Sequence, residues 1–162
     1  MERIGAVGAL IDEYERSIKD LKLVISDVSY QNFIAILDNE TEDPDCVSMQ
    51  SILQHIVRSG YGYSNRIRKQ FGKDAVTSKV HYEITSIEVA QTELDTLVKY
   101  TEETVSKLTN LTHEDIINNI MSTDYGQHYD FEQLLEHAIV HILRHRRQIE
   151  KFMLKLPNKI VE

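Results

Sequence analysis

His137, His141 and His145 follow one another at four-residue steps within DFEQLLEHAIVHILRHRRQIEKFMLKL, residues 130–156. Side chains four apart on a helix lie about 40° from one another on adjacent turns, so two imidazoles can reach one point in space. That geometry suits a single metal ion. Scattering 7 histidines at random through 162 residues gives about 0.3 pairs at this spacing, yet this one segment holds two. Interior histidines hydrogen-bonded to carbonyls would produce the same pattern, so spacing alone leaves both readings open.

The helical wheel separates the three histidines. Leu134, Ala138, Ile142, Ile149, Phe152, Met153 and Leu156 trace an apolar stripe at helical spacing, the face expected to pack on the rest of the molecule. His141 and His145 lie at the near edge of that stripe, and an imidazole turned inward must regain a hydrogen bond or a metal in place of water. His137 falls further round, beside Arg144 on the polar side, and needs no such partner.

The remaining elements must bring a third ligand to this helix. Ser48 reads as the N-cap of SMQSILQHIVRSGYGYSNRIRKQF, whose Met49, Ile52, Ile56, Gly60, Tyr63, Ile67 and Phe71 recur at helical spacing up to a stop at Gly72. His55 sits one turn in, at the flank of that stripe. Alone it reads as an ordinary helix histidine; beside the HxxxH pair it is the best candidate for a third ligand from a neighbouring helix. Gly60 and Gly62 cost helix propensity and mark a close approach of another helix or a ligand.

Two further helices complete the set. Ile4, Val7, Ile11, Tyr14, Ile18, Leu21, Ile25 and Val28 alternate three and four apart, one apolar seam opposite a charged face, which marks a bundle member. A third helix is expected over residues 85–110, with Ile87, Leu94, Leu97, Val98, Val105 and Leu108 as its buried side. Thr112 and Asp115 cap a short helix over residues 114–121, with His113 exposed in it. STDYGQHYDF then offers a tight turn at residues 124–127 and a small hairpin. Tyr63, Tyr125 and His128 are candidate pocket residues. His81 reads as a loop residue, and the acidic run DNETEDPDCVS as a solvated loop without the ligand pattern of an EF-hand.

With two prolines, scattered glycines and no break in composition, residues 1–162 are expected to form a single all-α domain, a four-helix bundle with a short irregular segment before the last helix. The lone Cys46 excludes an internal disulfide and reads as a loop thiol without a role. A formal charge of −8 provides no basic footprint for nucleic acid. The amino-terminal apolar pieces are broken by Asp12, Glu13 and Glu15, so neither a signal region nor a membrane span is expected, and the cytoplasm is the default location. The long first seam, with Leu135 and Ile139 as spare apolar positions, leaves room for a homodimer.

Helix order and short motifs together resemble the DinB/YfiT-like family of metal-dependent four-helix-bundle proteins. SMQSILQHIVRSG at residues 48–60 is similar to the family's second-helix segment, and LLEHAIVHILRHRRQI at residues 134–149 to its last-helix segment, where HxxxH is followed by Arg, a small residue and Gln. The resemblance implies His55, His141 and His145 as ligands of a divalent transition metal, zinc or nickel foremost, with Arg146 and Gln148 as the trailing pair and His137 outside the triad. Arg147 replaces the small residue, a departure from the pattern. The resemblance also implies transfer of a low-molecular-weight thiol such as bacillithiol or mycothiol to an electrophilic small molecule. A hydrolase using the same ion on water, or a non-catalytic stress-response or ligand-binding bundle, are the alternatives.

Overall fold

Each long helix of this chain carries one apolar face, and those faces can leave water only by meeting each other. The computed structural model describes residues 3–72, 82–106, 108, 110–123 and 125–156. Its four long helices are α1 (Gly5–Ile25), α3 (Met49–Gln70), α4 (Ile87–Val105) and α6 (Phe131–Lys155). Short helices α2 (Tyr30–Ile34) and α5 (His113–Asn118) and a 3-10 turn at Pro44–Cys46 lie between them. Strands β1 (Met121–Ser122) and β2 (His128–Tyr129) pair antiparallel just before α6, so the irregular segment contains the expected hairpin.

α1 packs on α4 and α6, and α3 packs on the same two, which closes the four into an all-α bundle. Val7 and Ile11 at the start of α1 share one apolar cluster with Phe131 and Leu134 at the start of α6 and with Ile67 and Val105 near the ends of α3 and α4. α1 and α6 therefore run one way, and α3 and α4 the other. A second, larger cluster fills the bundle beyond it, built on Leu21, Ile25, Ile52, Leu53, Leu94, Leu97 and Ile149.

Local chemistry sets the helix starts. Ser48 and Ser51 form a capping box at α3, and Asp130 and Gln133 do the same at α6, each side chain accepting from the other's backbone N–H. Ser86 caps α4, whose regular part is therefore shorter than residues 85–110. α5 ends at Asn118 because Met121 is drawn into β1. At Gly60 an added Cβ would stand 2.5 Å from Leu97 Cδ2, so this glycine does mark the close approach of another helix. His81 lies outside the described residues.

Three expectations need correction. Leu135 and Ile139, counted as spare surface for a partner chain, are buried core residues: Leu135 joins the cluster of Ile67, Ile116 and Met121, and Ile139 the larger cluster that fills the bundle. Met153 is 37% exposed, since Phe152 and Ile149 already fill the interior at that end. Ile4 stands at the N-cap and points outward, so the α1 seam begins at Val7. No described helix is long and apolar enough to cross a membrane.

Candidate metal centre

The capping boxes of α3 and α6 fix where each helix begins, and helical repeat then fixes which residues face across their contact. His55 falls two turns into α3, opposite the third and fourth turns of α6, where His141 and His145 project on the same side. His55 Nε2 lies 2.9 Å from His141 Nε2, and His145 Nε2 lies 3.2 Å from the same atom. Each ring thus presents one nitrogen to a common centre, and the ligand-type atoms of the three fall within 4.8 Å of one another. Among the described residues this is the one group of histidine, cysteine or carboxylate side chains with such a geometry.

An imidazole nitrogen offers one proton or one lone pair, never both. His141 Nε2 can therefore be matched to His55 or to His145 but not to both, although it lies within hydrogen-bond distance of each. The mismatch is removed if the three nitrogens direct lone pairs at one cation. Protonation of the cluster is disfavoured: burial, then the neighbouring His145 and His55, push the His141 ring down to about 2. Burial, then His55, lower His145 to about 4, against the opposing pull of Gln148. Both rings are neutral at pH 7, the form that ligates a metal. The donor set fits a divalent transition ion: three imidazole nitrogens of intermediate softness, converging from two packed helices.

The outer ring nitrogens of His145 and His55 are engaged as well. His145, 4% exposed, donates from Nδ1 to Gln148 Oε1 at 2.9 Å, so Gln148 of the trailing pair touches the site. Arg146 does not; it pairs with Asp20 on α1 and Glu150 on its own helix, tying α6 to α1. Arg147 is exposed, which is why a large residue is accommodated where the family pattern has a small one. His55 Nδ1 lies 3.0 Å from Asp45 Oδ2, and Arg58 donates to the same carboxylate oxygen. Burial alone would raise the Asp45 carboxyl, but the Arg58 guanidinium and His55 together hold it below the usual carboxylate range.

Two residues that the sequence left without a role thus belong here. Asp45 sits in the acidic run read as a solvated loop, and Cys46, read as a bystander, is buried with Sγ 3.8 Å from Gln148 Oε1. The available signal was small: Asp43, whose side chain accepts from Asp45 N, and Pro44 together specify a turn close ahead of His55.

Tyr63 and His137 wall the site on the side away from His145. The Tyr63 ring stands edge-on to His141 at 5.8 Å and to His137 at 5.4 Å, and burial raises its phenol to about 12. His137 is half-buried, with Tyr129 Oη 3.2 Å from its Nδ1, so it belongs to an aromatic wall and is not simply a polar-face residue. Of the three candidate pocket residues, only Tyr63 reaches the site. Tyr125 is 88% exposed, and His128 is spent on Ser122 across the hairpin.

No curated protein and no solved structure matches the chain. The model of the DinB family does, over residues 30–156, a span that contains α3, α6 and all three clustered histidines. The chain belongs to the DinB family.

Proposed function

We propose that this chain is a metal-dependent enzyme that transfers a low-molecular-weight thiol to an electrophilic small molecule, with His55, His141 and His145 holding the metal. The observation that carries the reading is the convergence of three imidazole Nε2 atoms on one point at the α3–α6 contact. Family membership supports the metal dependence, and thiol transfer is the chemistry that the resemblance of the two helix segments implies.

A divalent ion held by three neutral nitrogens retains a position for a further ligand and lowers the pKa of a water or thiol bound there toward neutrality. The chain's own residues supply the setting. Neutral His141 and His145 keep their lone pairs available at pH 7. Tyr63, still protonated at neutral pH, closes one flank with an apolar ring edge and limits the approach of bulk water. His137 is held on that flank by Tyr129 and narrows the same approach.

The test has two stages. The purified chain is loaded with zinc or nickel, its metal content measured, and loss of free thiol followed with an electrophile present. Metal-dependent thioether formation, absent in His141→Ala, is expected. Metal-dependent turnover of an ester or amide without any thiol would replace this reading with a hydrolase. Absence of turnover of either kind by the loaded chain would leave the non-catalytic bundle.

A further inference from the structure

A free neutral imidazole divides its population between two tautomers, and it can ligate through one nitrogen only when the proton sits on the other. Resting on the metal reading above, we propose that Asp45 is a positioning residue of the metal centre: its carboxylate keeps the His55 proton on Nδ1 and so directs the Nε2 lone pair toward His141.

Two neighbours compete for His55 Nδ1. Asp45 Oδ2 lies 3.0 Å from it and an Arg58 guanidinium nitrogen 3.1 Å. An ionised carboxylate can only accept a hydrogen bond and a guanidinium can only donate, so the two favour opposite tautomers. The carboxylate prevails because Arg58 also donates to Asp45 Oδ2, which satisfies the guanidinium without the ring and leaves the anion to attract the Nδ1 proton. Asp45 is the one carboxylate at the outer nitrogen of a clustered histidine among the described residues; His145 has the neutral amide of Gln148 there.

The turn that carries Asp45 is itself fixed. Asp43 Oδ1 accepts from the Asp45 backbone N–H at 3.0 Å, and Pro44 opens the 3-10 turn. On its far side, buried Cys46 contacts Gln148, the partner of His145. One short turn outside the bundle therefore reaches the outer partners of ligands on both helices. An ion pair serving only to fasten the loop would need Arg58 and Asp45 but not the contact with His55.

The inference is tested on the metal-free chain by nitrogen-15 NMR of labelled histidine and by cobalt(II) titration at pH 7.5, with Asp45→Ala and Asp45→Asn. In the unaltered chain His55 is expected wholly as the Nδ1–H tautomer, with one cobalt bound. Asp45→Ala is expected to shift His55 toward Nε2–H and to raise the cobalt dissociation constant about 10–100-fold. Asp45→Asn, which keeps the shape and one accepting oxygen, is expected to give a smaller rise with unchanged metal-free melting. An unchanged tautomer, with cobalt affinity within about twofold in both variants, overturns the inference alone. So does lowered melting with the tautomer unchanged, which would make Asp45 a loop fastener. No cobalt binding by the unaltered chain overturns the metal reading, and this inference with it.

Discussion

His55 and His141 belong to different helices and lie 86 positions apart in sequence, yet their Nε2 atoms stand 2.9 Å from one another. That approach is closer than two lone pairs tolerate without a proton or a cation between them, and His145 makes the same demand of His141 from the other side. His141 is the shared member of both contacts.

Removing it should therefore do most damage to the centre and least to the fold. His141→Ala is expected to bring metal content, measured by inductively coupled plasma mass spectrometry, from near one equivalent to none. Its far-ultraviolet circular dichroism should stay helical, because the ring lies at the edge of the α6 stripe and not in the middle of the core. Retention of full metal content in this variant would remove His141 from the ligand set.

Metal-free stability should fall as pH falls below about 6.5, where histidines of the unfolded chain take up protons. In the folded chain His145 stays neutral down to about 4 and His141 to about 2, both held there first by burial. The unfolded state then binds more protons, and stability declines with falling pH until the folded rings protonate as well. Halving for solvent screening, the two rings together give a loss of about 2 kcal/mol between pH 7 and pH 5. Urea unfolding midpoints at the two pH values measure this, and equal midpoints would show that the rings do not titrate as described.

Cys46 should be slow to alkylate. Burial raises its thiol above the ordinary value, with Asp43 and Asp45 adding repulsion for a thiolate, and the neutral thiol is a poor nucleophile. Folded chain at pH 7 treated with iodoacetamide should label at least about tenfold more slowly than chain in urea. Comparable rates would mean that the Pro44–Cys46 turn opens freely.

Gly60→Ala should destabilise the bundle despite the better helix propensity of alanine, a gain of about 0.5–1 kcal/mol. The new methyl would meet Leu97, fully buried against it, at 2.5 Å, and overpacking of that kind costs about 1–3 kcal/mol. A net loss of about 1 kcal/mol is expected in chemical denaturation. An increase in stability would show that Leu97 can swing clear.

By itself the sequence determined the elements and the nature of the candidate ligands. Period-3.6 apolar stripes, Ser48, Asp130 and Thr112 at helix starts and Gly72 after α3 are local signals, read within a few residues of where they act. The pairing of His141 with His145 is local too, since four-residue spacing puts both on adjacent turns of one helix and the apolar stripe favours them over His137. The partnership of His55 with them was legible only as a candidate and through family resemblance, because it depends on the register in which α3 packs on α6. Tertiary structure alone decided the roles of Asp45, Cys46 and His137, and it picked Tyr63 out of three candidate pocket residues. Each acts across a gap between elements, and nothing in the chemistry of an acidic loop or a lone thiol says which helix it will face. It also decided that Leu135 and Ile139 are core, since a helix wheel counts apolar residues but not how many neighbours will cover them.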